Sequence, residues 1–390
     1  MSTETQYEPT TFLEAGGNAE SDVNRTIVVA VPDGMPTGSG VRSVPKTTGR
    51  AVKGKREIED LVGGVNINPY ISSELDVSSD LEFPLEKIDK KYAVLTDFAQ
   101  GGTATVSIAR DMNLRRLVAI KSLKMGTKDS ALLWSSFVAE AKVTAQLDHP
   151  GIIPIYDLFR DDENGIHLVM KLVNGRTLRE YLRNIIMNYR VRGIDAFDED
   201  LLLRKRLEIF LRVCDTISYA HHCHVIHRDL KPENIMIGKY MEVFVMDWGL
   251  GRILAEDGTP ELVKGLSGTP RYFAPEVLRH EPLDFRSDIF TLGLILQEVV
   301  TLQPAVDGKD DKECMENIRN GVISPVEHLY HRKIDKSLLA IIQKAIAYDL
   351  QERYQTVDDL SEDLRRYMAG LAVSAKPESL WSRIMRSIFG

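Results

Sequence analysis

His227-Arg228-Asp229-Leu230-Lys231-Pro232-Glu233-Asn234 reads HRDLKPEN, and six of its eight residues carry polar or ionisable side chains. It follows Arg204 to His222, where apolar residues recur at three-and-four spacing, and it leads into Val245-Met246-Asp247-Trp248-Gly249. One loop thus gathers a carboxylate (Asp229), an ammonium two residues on (Lys231) and an amide (Asn234). A second carboxylate, Asp247, follows thirteen residues after the amide. Such a set suits in-line transfer of a charged group, where positioning and neutralisation of oxygen charge matter more than covalent chemistry. A helix-to-strand loop charged by accident is the plainer alternative.

The eight-residue pattern resembles the catalytic loop H-R-D-L-x-x-x-N of the Hanks-type (eukaryotic-like) serine/threonine protein kinases, bacterial members above all. The resemblance implies an α+β, bilobal fold: a small five-stranded antiparallel lobe with one helix, then a larger, mainly helical lobe. It implies ATP and Mg²⁺ or Mn²⁺ as cofactors and Ser/Thr hydroxyls of proteins, the chain's own included, as acceptors. Asp229 would accept the hydroxyl proton, Lys231 would place positive charge beside the transferring phosphoryl group, and Asn234 and Asp247 would hold the metal. Asp247-Trp248-Gly249 departs from the family's Asp-Phe-Gly at its middle residue, and the larger indole brings an N–H that needs a partner.

Upstream, Val118-Ala119-Ile120-Lys121 matches the family's third-strand lysine motif. Alone it would be a strand ending in a snorkelling lysine. Between Ala131 and Leu147, however, Phe137, Glu140, Ala141 and Thr144 share one helical face, and a carboxylate on a packed stripe needs a partner. Lys121 and Glu140 explain each other as the pair that aims an ammonium at the nucleotide's phosphates.

Just before lies Ala99-Gln100-Gly101-Gly102-Thr103-Ala104-Thr105-Val106, where the family pattern is G-x-G-x-x-G-x-V. Gly101 alone survives in register, with Gly102 beside it. Alanine removes no backbone N–H, so the phosphate cradle keeps its donors and gains a methyl and stiffness. By resemblance, Val106 and Ala119 cover the adenine, Met170 is the gatekeeper, and Lys171 to Val173 form the hinge.

Downstream, Gly268-Thr269-Pro270-Arg271-Tyr272-Phe273-Ala274-Pro275-Glu276 is similar to the end of a kinase activation segment. The resemblance pairs Glu276 with Arg353, makes Asp288 an anchor of the catalytic loop, and lets Arg228 meet a phosphate on the segment. Thr269 faces the catalytic residues, which leaves Thr259 and Ser267 as candidate phosphosites.

Around these motifs, β-type runs at Tyr92 to Phe98, Thr105 to Arg110, Leu117 to Leu123, Ile155 to Phe159 and Ile166 to Val173 predict five strands. Helical spacing returns in Arg204 to His222, Asp288 to Thr301, Ser337 to Ala347 and Val357 to Ala369. The kinase domain is expected over 89–370, with a small lobe at 92–173 and a large one at 174–370. The charged stretch Asn188 to Asp200 reads as a surface insertion. Residues 1–88 lack sustained periodicity apart from Thr26 to Val31 and read as mostly disordered, with a basic cluster from Arg42 to Arg56. His221, His222, Cys223, His224 and His227 point in different directions around a helix end and have no metal-binding frame.

The chain has 390 residues, 43% apolar and 27% charged, with a net charge of -8, which gives no reason to expect nucleic-acid binding. Three cysteines without CxxC spacing suggest free thiols. The start shows no secretory signal, and no run approaches the roughly 18 apolar residues of a membrane span. The expected location is therefore cytoplasmic, or peripheral to the membrane. In the tail, 371–390, Leu380, Trp381, Ile384, Met385, Ile388 and Phe389 share one side of a segment from Glu378 to Phe389. That face could pack on the helical lobe or adsorb to an anionic membrane surface.

Two other functions stay open at this point. One is a pseudokinase scaffold, suggested by the altered glycine loop and Trp248. The other is a kinase-fold enzyme acting on a small molecule, which would have no use for the GTPRYFAPE segment.

Overall fold

Alternation along the third strand fixes how the small lobe is layered. In a computed structural model that describes residues 91–100, 104–123, 130–161, 165–254 and 266–375, β3 (Arg116–Leu123) has Val118, Ala119 and Ile120 all at most 3% exposed. Val118 and Ile120 pack with Ala109, Phe159 and Val169 on one face, while Ala119 packs with Val106 on the other. A period of two puts Lys121 on the same face as Ala119. The strand sits at the centre of an antiparallel sheet ordered β1-β2-β3-β5-β4, with β1 (Tyr92–Gln100), β2 (Ala104–Asp111), β4 (Ile155–Arg160) and β5 (Ile166–Lys171). Helix α1 (Ser130–Gln146) closes one side with Phe137, Val138 and Ala141 against Ile166 and Leu168.

The fifth strand ends at Lys171, two residues short of the expected Val173, because the ladder to β3 stops at the pair Val118 and Lys171. The first strand runs on to Gln100, where Ala99 pairs with Val106 and Gln100 with Thr105. Gly101, Gly102, Thr103 and Thr259 lie outside the described residues, as do residues 1–88 and the Glu378 to Phe389 segment.

The large lobe is built around α5 (Phe285–Thr301), buried without a break from Ser287 to Thr301. A helix buried on every side must be surrounded by protein, and its buried polar residues, Ser287, Asp288, Thr291, Gln297, Glu298 and Thr301, need partners there. Helix α3 (Glu199–His222) and α7 (Lys336–Ala345) pack on it and α8 (Val357–Met368) packs on both of those, with α2 (Leu178–Arg192), α4 (Pro275–Leu278) and α6 (Asp311–Arg319) completing the lobe.

Two expectations change here. Helix α3 begins at Glu199, five residues before Arg204, because Asp198 caps it by accepting from Leu201 N. The supposed insertion from Asn188 to Asp200 narrows to residues 193–198, since Asn188 to Arg192 form the last turn of α2 and Glu199 and Asp200 the first of α3. Three short β pieces flank the central loop: β7 (Val225–Ile226), β8 (Ile235–Gly238) and β9 (Val243–Val245). Short β6 (Gly175–Thr177) pairs with β8, and β10 (Arg252–Ile253) with β7.

Candidate active site

The loop between β7 and β8 is held by one buried carboxylate. Asp288, in the first turn of α5, accepts from the backbone N–H of His227 at 2.8 Å and of Arg228 at 3.0 Å, and His221 Nε2 lies 2.9 Å away. Burial acts to raise the Asp288 carboxyl, but the His221 and His227 contacts outweigh it and hold it below the usual range. The loop needs the anchoring because Arg228 takes a left-handed φ of 68°, unfavourable for a residue with a side chain.

The loop presents a closed polar ring. Lys231 Nζ donates to Asp229 Oδ2 and to Thr269 Oγ1, both at 2.8 Å, and Thr269 Oγ1 donates to Asp229 Oδ1 at 2.9 Å. Asn234 Nδ2 donates to the Asp229 carbonyl at 2.8 Å and to Oδ2 at 3.2 Å. These donors fix the carboxylate's orientation before any substrate arrives. Asn234 Oδ1 is buried and has no hydrogen-bond partner among the described residues. An orphaned amide oxygen beside a carboxylate calls for a cation.

The second half of the site faces that ring. Lys121 Nζ donates to Glu140 at 2.7 and 2.8 Å and lies 4.0 Å from Asp247. Burial disfavours its charge, yet Glu140 and Asp247 outweigh it and hold the ammonium above its ordinary range. Asp247 also has a left-handed φ, 62°, which turns the chain just after β9. A Cβ on Gly249 would sit 3.2 Å from Glu140 Oε2 and 3.4 Å from Asp247 Oδ1, so a side chain there would crowd both carboxylates.

Two carboxyl groups share this one ammonium, burial and the neighbouring Asp247 holding Glu140 above its ordinary range against the pull of Lys121, and the hard oxygens of Asp247 and Asn234 fit a magnesium-type ion. Among the described residues no cluster of three or more His, Cys, Asp or Glu could hold a metal by itself. An ion here would complete its shell with phosphate and water oxygens.

Between the lobes lies a cavity of about 280 Å³. Val106 and Ala119 line it from the sheet, and Val173 and Met236 from the far side, with Met170, Lys121, Asp229 and Asp247 in its wall. Apolar plates on two sides with polar groups at one end suit a flat base carrying charged phosphates. Met236, 1% exposed on β8, was not apparent in the sequence, where it is one apolar residue in a short strand. Ala104 stands in the wall with its methyl buried. Ser267 lines the same cavity.

Trp248 is 1% exposed, donates its indole N–H to the Val245 carbonyl at 3.3 Å and packs on His227 with ring centroids 4.6 Å apart. The extra N–H is thus accommodated inside the large lobe. Arg228 donates to the Leu250 carbonyl at 3.1 Å. Gly268 has φ 124°, and a Cβ there would meet the Phe273 ring at 2.9 Å. Glu276 and Arg353, both buried, pair at 2.9 and 3.3 Å.

One network went unread in the sequence. Arg179 donates to Glu233 Oε1 at 2.7 Å and also contacts Glu298 and Tyr272, whose hydroxyl donates to Glu298 Oε2 at 2.8 Å. It ties the catalytic loop, the GTPRYFAPE segment, α2 and α5 together.

This arrangement is that of a protein kinase, and the comparison with known families agrees: residues 92–363 match the protein kinase domain, and the chain belongs to that family. Members of the family use ATP with a divalent metal ion and act on proteins. The chain is similar to the serine/threonine-protein kinase PknD of Protochlamydia amoebophila, 32% identical over 297 residues that cover 72% of this chain and 30% of that protein. PknD of Chlamydia abortus is 33% identical over 299 residues (72% and 31%), and PknD of Chlamydia pneumoniae 30% identical over 319 (75% and 33%). The chain therefore spans about a third of the length of these curated relatives. Among the described residues no helix is long and apolar enough to cross a membrane.

Proposed function

We propose that residues 89–370 form a kinase domain that transfers the γ-phosphoryl group of Mg·ATP or Mn·ATP to Ser or Thr hydroxyls of proteins, this chain included. The observation that carries this is the ring joining Asp229, Lys231, Thr269 and Asn234, set across the cavity from the Lys121 and Glu140 pair. Bound nucleotide and metal supply the transferable phosphoryl group and neutralise its charge.

Asp229 receives the proton of the acceptor hydroxyl and aims its oxygen along the line of transfer. Lys231 holds positive charge on the acceptor side, and Thr269 fixes both of them. Lys121, oriented by Glu140, grips the phosphates from the opposite side. Asn234 and Asp247 hold the metal through hard oxygens. Met170 and the backbone of Lys171 to Val173 read the adenine edge, and Val106 and Ala119 cover one face while Met236 covers the other. Gln100, Gly101, Gly102 and Thr103 are the residues proposed to contact the phosphates. Ser267 and Thr259 are the hydroxyls of the segment proposed as its own targets.

Purified chain incubated with labelled ATP, a generic basic protein and Mg²⁺ or Mn²⁺ should label both proteins on Ser and Thr, and chelation should abolish the labelling. Nucleotide binding without incorporation under either metal would return the scaffold hypothesis.

The glycine loop gives a second test. Ala104 puts a methyl into the cavity wall, so Ala99→Gly with Ala104→Gly should lower the apparent KM for ATP by a few-fold, not by orders of magnitude. An unchanged or higher KM would show that the alanines cost the loop nothing.

A further inference from the structure

A second cavity, about 480 Å³ in volume, opens in the large lobe where the start of α3, the end of α5, the 328–335 segment and α8 meet, and it shares no residue with the nucleotide cleft. Its floor is apolar. Phe197, Leu203, Val300, Ile334 and Tyr367 line it, and all but Val300 are only partly buried against the core of the lobe.

The rim is acidic. Asp198, Asp200 and Asp335 are exposed there, Glu199 is half-buried, and only Arg332 and Lys333 oppose these four carboxylates in the wall. Arg332 is already paired with Asp195, 3.0 Å away. Asp198 and Asp335 cap α3 and α7 by accepting from the backbone N–H groups of Leu201 and Ser337, which leaves their charge in place. Burial, with Asp335 and Asp200 beside it, holds the Tyr367 hydroxyl above its ordinary range, so these charges converge on the floor.

A partly buried apolar floor under a negative rim suits an amphipathic segment that carries cations. The chain holds one. Leu380, Trp381, Ile384, Met385, Ile388 and Phe389 share one side at helical spacing, and Lys376, Arg383 and Arg386 outnumber Glu378. By the same spacing Arg383 and Arg386 fall off that side, where the rim attracts them at long range and not as ion pairs.

Ala375, the last described residue, is pinned close to the groove. After α8 the chain turns back at Gly370, with φ 72°, and Asp363 accepts from the backbone N–H groups of Ser374 at 2.6 Å and Ala375 at 2.9 Å. Asp363 precedes Tyr367 by one turn on the same side of α8, about 6 Å along the axis. Leu380 follows Ala375 by five residues, a reach of up to about 17 Å.

We propose that residues 378–389 dock in this groove of their own chain, with the apolar side on Phe197, Ile334 and Tyr367 and the cationic residues held under the pull of the acidic rim. Docked so, the apolar side is withdrawn from any membrane surface. The inference does not depend on phosphoryl transfer in the cleft.

Limited trypsin digestion of the full chain, followed by mass spectrometry at Arg383 and Arg386, tests the docking. Proteolysis tracks the population of the open form, so cleavage there should be slow and independent of chain concentration. It should quicken about tenfold or more in Ile334→Asp, which puts a charge on the floor, and a few-fold in Asp200→Lys, which reverses one on the rim. Trp381→Asp with Ile384→Asp, confined to the segment itself, should match Ile334→Asp and decides the matter should that variant fail to fold. Fast cleavage in the unaltered chain, or slow cleavage that all of these variants leave unchanged, overturns the proposal. So does protection that grows with chain concentration, the mark of a second copy, or protection that requires anionic vesicles.

Discussion

Asp229→Asn lowers the rate of phosphate incorporation by about 10²- to 10⁴-fold, the range a positioned general base contributes, while nucleotide binding persists. Asparagine keeps the size of the side chain but has one acceptor oxygen where three donors now converge: Thr269 on Oδ1, and Lys231 and Asn234 on Oδ2. Either Thr269 or Lys231 must then face an amide N–H, so the ring opens as well as losing its proton acceptor. Lys121→Met fails differently. It leaves the ring intact and removes the ammonium that Glu140 orients, so the phosphates lose their grip and nucleotide binding weakens along with turnover.

Single-turnover labelling beside a nucleotide-binding measurement separates the two variants. Activity in Asp229→Asn within about tenfold of wild type would exclude it as a general base.

How much of this was legible beforehand depended on the range of each interaction. The Lys121 and Glu140 pair was readable because two local periodicities, a strand and a helical face, each left one charged residue on a buried side. The five strands were readable for the same reason. Pieces of two to four residues, β6 to β10, carry no period to detect, and they exist because neighbouring loops bring partners to them. Helix α2 had a signal that went unused: Thr177 and Glu180 form a reciprocal capping box at its start, and the charged run from Asn188 concealed its end. Arg179 had none. Its acidic partners, Glu233 in the catalytic loop and Glu298 on α5, lie 54 and 119 residues away, and only the tertiary fold brings them to it. Trp248 likewise brought an N–H whose partner the sequence did not show, and only the fold supplies the Val245 carbonyl and the His227 ring that receive it.

Arg353→Ala destabilises the domain by about 3–5 kcal/mol, because it leaves a buried carboxylate without its countercharge. Glu276 and Arg353 are at most 2% exposed, so solvent cannot enter to repair the loss. The guanidinium also donates to the carbonyls of Arg286 at 2.6 Å and Ala347 at 3.1 Å and lies 4.9 Å from the centre of the Phe290 ring. Its removal strands several acceptors at once, and among the described residues the Ser287 hydroxyl, 2.8 Å away, is then the one side-chain donor left to the Glu276 carboxylate. In a domain whose total stability is about 5–15 kcal/mol, Tm should fall on the order of 10 °C.

The same physics makes the pair a poor source of net stability, since taking both charges out of water offsets most of their attraction. Glu276→Gln with Arg353→Met should therefore be markedly more stable than Arg353→Ala alone. What that double variant loses is the tie between the segment carrying Thr269 and the C-terminal part of the lobe, so its activity should stay low after its Tm recovers. A single-variant loss below about 1 kcal/mol would place the pair among weak surface-type contacts. Full recovery of activity in the double variant would show that the segment is positioned by the Arg179, Glu298 and Tyr272 network instead.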